Sequence, residues 1–297
     1  MSRKKKKKTS QARPNAYSRK SLERERKKVV EQHQEQVREQ ETRPAYQPGK
    51  DNEPVRLNKY IAAAGICSRR EADTLIQNGE VEVNGQVVKE MGIKVKPSDR
   101  VKVKQQEIKP EEYVYILLNK PKNAISTTDD ERDRRTVLDV VEKATGKRVY
   151  PVGRLDRNTT GLLLLTNDGE LSHRLMHPSY SIRKVYQVET NITLSDEQLG
   201  QLRQGVTLED GPARAYRLDR HPVLANVVRL SIIEGRNHQV KRMIEAVGAE
   251  VINLKRTTYA NLSLGDLRMG KWRLLSRKEI NELRQLTKLL DKKSLDL

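Results

Sequence analysis

Asp156 lies between Arg154 and Arg157 in the run Gly153-Arg154-Leu155-Asp156-Arg157-Asn158-Thr159-Thr160-Gly161. The leucines Leu162 to Leu165 follow at once, and Asn167-Asp168-Gly169 closes them. A short apolar run between turn residues predicts a buried strand, so the acid is expected to be held rigidly at the mouth of a sheet. A carboxylate in so positive a local field is a counter-ion or a catalyst, and the turn alone leaves both open. Two other segments carry reactive side chains. In Arg183-Lys184-Val185-Tyr186-Gln187-Val188, strand alternation puts Lys184 and Tyr186 on one face and Val185 on the other. Glu234-Gly235-Arg236-Asn237-His238-Gln239-Val240-Lys241-Arg242-Met243 reads as a cation-dense passage from strand to helix. Taken singly, these are a salt-bridged turn, an edge strand and a basic helix face.

Other chemistries lack their residues. The chain has no phosphate-cradling glycine loop ending in Lys-Ser or Lys-Thr, no dinucleotide fingerprint and no Gly-x-Ser-x-Gly. His173 and His177 fall at i,i+4 on an expected helix without a third ligand near them. No metal, nucleotide or redox cofactor is therefore expected. The 297 residues hold 59 Lys plus Arg against 40 Asp plus Glu, a net charge of +19, which argues for a polyanionic partner, nucleic acid before membrane. No apolar run nears the roughly 18 to 20 residues that span a bilayer. The single cysteine, Cys67, forms no internal disulfide. A cytoplasmic protein is expected.

The elements that must position these residues fall into three stretches. Residues 1–53 carry 16 Lys plus Arg against 8 Asp plus Glu and almost no large apolar residue, so a disordered basic arm is expected. Residues 54–105 read as a small domain. Leu57, Tyr60, Ile61 and Ala64 repeat at helical spacing up to Gly65, and Ser68-Arg69-Arg70-Glu71 fits a capping box that opens a second helix. Asn84-Gly85 between Val81-Glu82-Val83 and Val87-Val88 is a hairpin turn, and Gly92 to Val103 is expected to form another strand pair. Residues 112–290 hold the chemistry. Strands are expected over 113–118, 184–189 and 227–233, with helices over 137–141, 194–202 and 240–247. Their irregular interleaving predicts an α+β fold with a mostly antiparallel mixed sheet.

The run from Leu57 to Ala72 with Gly79-Glu80-Val81-Glu82-Val83-Asn84-Gly85 resembles a small RNA-binding module. That module is shared by a small-subunit ribosomal protein, tyrosyl-tRNA synthetases and several RNA-modifying enzymes. The resemblance implies recognition of structured RNA by shape and phosphate contacts, with Arg56, Lys59, Arg69 and Arg70 as candidate contacts. Downstream, Gly-Arg-Leu-Asp, two residues, Thr, one residue, Gly, four apolar residues and Thr resembles the motif of the pseudouridine synthases. Lys-x-Tyr and Gly-Arg-x-His-Gln-Val-Lys-Arg-Met follow in that family's order.

The resemblance implies isomerisation of uridine in ribosomal RNA. Asp156 would be the essential carboxylate, acting as a nucleophile or by drawing a proton from the ribose. Lys241 would pair with it, Arg236 being the second choice. Tyr186 would stack on the flipped base and take the C5 proton. Arg154 would fill the emptied RNA stack, while Arg157 stays open between a phosphate contact and a structural role. The segment from Asn253 to Leu267 is more similar to the large-subunit (23S) members. A small-subunit (16S) rRNA enzyme and a non-catalytic assembly factor are the alternatives, and a monomer is implied.

Overall fold

A computed structural model describes residues 53–289. All of the basic arm expected over 1–53 except Glu53 lies outside the described residues.

The first elements build the small domain. β1 (Val55–Arg56) leads into α1 (Leu57–Ala63), which buries Leu57, Tyr60 and Ile61 on one face. α2 (Arg69–Gln77) opens on the expected capping box: Glu71 N–H donates to Ser68 Oγ at 3.3 Å, and Ser68 N–H donates to Glu71 Oε2 at 2.6 Å. Such a cap contributes about 1 kcal/mol. β2 (Val81–Val83) and β3 (Gln86–Val88) flank Asn84 and Gly85, both at positive φ (53° and 84°), the backbone that a two-residue hairpin requires. β4 (Lys94–Val95), β5 (Val101–Val103) and β6 (Gln106–Ile108) follow. The expected pairing within 92–103 is not what forms. β4 pairs with β1, whereas β5 lies between β2 and β6. Val95 and Val101 are both fully buried and so join one core from two sheets.

The large sheet has nine strands. In chain order they are β7 (Tyr115–Lys120), β8 (Tyr150–Pro151), β9 (Thr160–Thr166), β10 (Lys184–Thr190), then, after a separate hairpin of β11 (Val206–Leu208) and β12 (Gly211–Ala213), β13 (Arg217–Arg220), β14 (Val227–Ile232), β15 (Val251–Tyr259), β16 (Leu262–Ser263) and β17 (Trp272–Leu274). The spatial order is β13-β14-β10-β15-β9-β7-β17, with β8 on β9 and β16 on β15. β15 and β9 run parallel, and the other strand pairs of this sheet are antiparallel. Every residue of β9 is buried, which is why its leucines run without alternation. α3 (Val137–Val141), α4 (Gly169–Met176), α5 (Asp196–Gln204), α6 (Gln239–Glu245) and α7 (Arg277–Leu286) complete the α+β fold. Leu171 and Leu175 of α4 and Ile280 and Leu283 of α7 pack with Tyr115, Leu162, Leu164 and Tyr259 of the sheet. Among the described residues no helix is long and apolar enough to cross a membrane.

Candidate active site

Asp156 sits in the loop between β8 and β9, and that loop is tied down from several sides. Thr159 N–H donates to the Asp156 carbonyl at 3.0 Å, closing a turn. Ser126 Oγ donates to the Leu155 carbonyl at 3.0 Å and accepts Leu155 N–H at 3.2 Å. Beneath lies Lys120, fully buried at the end of β7. Its ammonium donates to the carbonyls of Thr159 (2.8 Å), Asp156 (2.9 Å), Arg157 (3.2 Å) and Pro121 (3.2 Å). Burial pulls the Lys120 pKa down to about 8, although the charge of Asp156 acts in the opposite direction. The loop is thus wrapped around a buried cation.

A backbone contact fixes where the loop enters the sheet. Gly161 has φ +106°, and a Cβ there would run into the backbone of Arg256 on the parallel neighbour β15. Only glycine allows β9 and β15 to close at this point. Arg256 is itself buried, donates through Nε to the Leu162 carbonyl at 2.8 Å and lies over the Tyr259 ring at 4.7 Å. Its Nη2 is buried without a hydrogen-bond partner among the described residues.

The Asp156 carboxylate faces α6. Lys241 Nζ lies 2.9 Å from Oδ2, and His238 Nε2 lies 3.4 Å from Oδ1. Side chains on a helix lean toward its N-terminus, which brings Lys241 back over the helix start. His238 is the N-cap, with φ +47° and no side-chain capping bond, so its ring is free to point at the acid. The turn into the helix is built by Gln239, whose Oε1 accepts Arg236 N–H at 3.0 Å while its Nε2 donates to Glu234 at 2.8 Å.

Arg236 does not pair with Asp156. Its guanidinium is spent on Asp210 (2.9 Å) in the β11–β12 turn, on the carbonyls of Gly211 and Pro212 in β12 and on Glu234 (3.3 Å). Arg242 holds the same Asp210 bidentately at 3.0 and 2.8 Å. The carboxylate locked between two arginines is therefore Asp210, and its job is to anchor α6. These guanidiniums hold the Asp210 carboxyl below its usual pKa.

Lys184 and Tyr186 point from β10 into the same cleft, as strand alternation requires, and both are buried. Lys184 donates to the Ile233 carbonyl at 3.3 Å, and burial draws its pKa to about 8, with Arg256 adding to the effect. Arg154 and Arg157 are exposed on the rim. The cleft encloses about 980 Å³, enough for a nucleoside with its phosphates. Away from it, Arg56, Arg69 and Arg70 are exposed on the small domain. Lys59 instead lies 3.6 Å from Glu170, a surface ion pair of small energetic weight. Among the described residues no cluster of His, Cys, Asp or Glu could hold a metal. The rings of His173 and His177 lie 5.3 Å apart at the end of α4, where His177 Nδ1 is taken by Ser179.

Sequence reasoning passed over Lys120, Arg256 and His238. Asn119-Lys120-Pro121 did carry a signal, since a lysine that ends an apolar strand just before a proline is poorly placed for solvent.

Fold and site together define an enzyme in which one carboxylate, 2.9 Å from an ammonium, faces a nucleoside-sized cleft beside a tyrosine. The family model for RNA pseudouridylate synthase matches residues 114–246, and that for the S4 domain matches 55–101. The ribosomal large subunit pseudouridine synthase B of Bacillus subtilis is 47% identical over 236 residues, 78% of this chain and 96% of that protein. The dual-specificity RNA pseudouridine synthase RluF of Shigella flexneri is 40% identical over 236 residues, 78% of this chain and 79% of that one. A crystal structure of a pseudouridylate synthase superposes with a TM-score of 0.56 at 31% identity, covering 77% of this chain and 99% of that one. The chain belongs to the RNA pseudouridine synthase family.

Proposed function

We propose that this enzyme converts one or a few uridines of large-subunit ribosomal RNA to pseudouridine, with Asp156 as its catalytic carboxylate. The observation that carries the reading is the 2.9 Å pair of Asp156 and Lys241 in the cleft that Tyr186 lines. Isomerisation breaks a C–N glycosidic bond, turns the base and joins its C5 to the same sugar carbon, with no net redox change. The carboxylate must be ionised when the glycosidic bond breaks, whether it attacks the sugar or removes a ribose proton. Lys241, 2.9 Å away, fixes the direction of that carboxylate. The buried Lys120 adds positive charge from below.

Tyr186 forms the wall on which the extruded base rests and takes the C5 proton. Arg154, exposed on the rim without a partner among the described residues, enters the gap left in the RNA and offsets unstacking of about a few kcal/mol. Residues 54–105, with Arg56, Arg69 and Arg70 outward, bring structured rRNA to the catalytic part over 112–290. The large-subunit substrate is supported by the name of the Bacillus relative. The enzyme acts as a cytoplasmic monomer.

Pseudouridine mapping on rRNA from cells with and without the gene tests the substrate. One or more sites in large-subunit rRNA should disappear and return with the wild-type gene but not with Asp156→Ala. An unchanged rRNA map would overturn the substrate, and product from the Asp156→Ala enzyme would overturn the role of the acid.

A further inference from the structure

The strands that build the cleft present their alternate residues to the opposite side of the sheet, and that side is basic. Lys184, Tyr186 and Arg256 face the cleft. Arg183, Val185, Arg229 and Lys255 line a second groove of about 470 Å³ on the other face. The register confirms one surface: Arg229 and Lys255 both stand opposite Gln187, and Arg217 and Val185 both stand opposite Ser231. No helix residue is among those that line this groove.

Its charges are unbalanced. Asp219, the acid of the groove, is taken by Arg217 at 2.8 Å. Just beyond it, Glu189 is occupied by Asn253 at 2.6 Å. The side chains of Arg183, Arg229 and Lys255 have no hydrogen-bond or ion-pair partner among the described residues. Like charges near one another across strands are destabilising unless an anion lies between them. A solvated sheet face usually mixes both signs, as the ion pairs elsewhere on this molecule do. Here the cations gather where no helix lines the sheet, on the far face of strands whose other side holds the active site, in a chain of net charge +19.

We infer that this groove is a second RNA surface, binding backbone phosphates of the substrate RNA outside the strand that enters the cleft. The inference rests on the RNA-modifying reading above. Since the contacts are to phosphate, they position the RNA without reading its sequence. A substrate long enough to wrap the sheet edge engages both faces, whereas a short stem–loop reaches only the cleft.

The test uses the full chain carrying Arg183→Ser, Arg229→Ser and Lys255→Ser together, with Gln187→Glu as a separate variant that places an anion between the register positions of Arg229 and Lys255 and removes no cation. Affinity for large-subunit rRNA and for a short stem–loop containing the mapped uridine is measured against KCl concentration, alongside pseudouridine formation at saturating RNA. For the long RNA, the triple variant should bind roughly tenfold more weakly at low salt, and its log Kd against log salt slope should fall by about 2, near 0.7 for each lost phosphate contact. Gln187→Glu should shift affinity the same way. Stem–loop binding and turnover at saturation should match wild type.

Unchanged affinity and slope on long RNA in a folded triple variant, or in Gln187→Glu if the triple variant does not fold, overturns the inference and leaves the face to another partner. Equal losses on both RNAs overturn it too, because the groove would then belong to the cleft. If the wild-type protein forms no pseudouridine on any rRNA, the parent reading has failed instead, and the two failures are distinct.

Discussion

Replacing Lys120 by methionine removes the ammonium at the centre of the Asp156 loop while keeping an unbranched side chain of similar length. The ammonium has three N–H donors facing four carbonyls at 2.8–3.2 Å. Charge-assisted hydrogen bonds contribute about 1.5–3 kcal/mol each, but the desolvation of a fully buried lysine offsets much of this, and methionine avoids that cost. The Asp156 and Arg157 carbonyls keep a backbone donor each, from Thr159 and Asn123. The loss therefore falls mainly on the Pro121 and Thr159 carbonyls, giving a net destabilisation of about 2 kcal/mol. For a folded unit of this size the melting temperature should drop by about 4–8 °C.

Activity should suffer more than stability. A displacement of the carboxylate by about 1 Å costs on the order of 100-fold in kcat. The assay is pseudouridine formation under single-turnover conditions at saturating RNA, paired with thermal melting. A kcat within about twofold of wild type would refute the claim that Lys120 holds the acid in place, whatever the melting temperature does.

The pH dependence supplies an independent check. The folded pKa of Lys120 is about 8, below the lysine value of 10.5. Between these values the unfolded chain binds the proton that the folded chain has lost, so this group makes stability rise with pH across that window. Deprotonation also leaves two donors for four carbonyls and removes the charge beneath Asp156. Turnover should thus fall above about pH 8 while Lys120 does not lower stability there, and Lys120→Met should lose that alkaline limb.

Tyr186→Phe should keep RNA affinity and lose turnover by at least roughly 100-fold, measured as C5-tritium release; retained release would return the proton to another base. Gly161→Ala should destabilise the protein by 3 kcal/mol or more by denaturant titration, because the new methyl meets the Arg256 backbone at a left-handed φ. A loss under 1 kcal/mol would show that the β9–β15 junction can shift. Asp210→Ala frees Arg242 and removes one partner of Arg236, and should loosen α6, lowering kcat through misplacement of Lys241. Single-turnover rates at saturating RNA measure this; a stability change with kcat unchanged would show that α6 needs no anchor.

The sequence was legible where one local signal decides the structure. Asn84-Gly85, Ser68 with Glu71, and the helix over 137–141 all form where their residues place them. The site constellation was legible as three motifs, because each sits at the end or on the face of one element. What escaped depends on partners far along the chain. The strand expected over 113–118 runs instead over 115–120, because Asn119 and Lys120 look like a polar boundary yet find their partners at Leu267 and in the Asp156 loop. Arg236, the second choice for Asp156, goes instead to Asp210, an acid that only the approach of the β11–β12 turn brings within reach. α7 went unread, although Ser276 and Glu279 spell the same capping box as Ser68 and Glu71. Its charged sequence hides an apolar stripe that only the packed sheet makes visible.

The parallel junction of β9 with β15 also bears on how the protein becomes active. It is a seam between two half-sheets, β17-β7-β9 with β8 on one side and β13-β14-β10-β15 with β16 on the other. Asp156 enters from the first half, whereas Tyr186 and Lys241 enter from the second. β7, β8 and β9 on one side and β10, β14 and β15 on the other can form antiparallel pairings of shorter range, but the acid meets its ammonium only when the seam closes across a sequence separation of almost a hundred residues, and β17 reaches β7 across a longer one still. Such distant pairings pay their chain entropy before contact rewards them and form slowly. On refolding, turnover should return after most helix and strand content, so that catalysis reports the long-range pairings rather than the local ones.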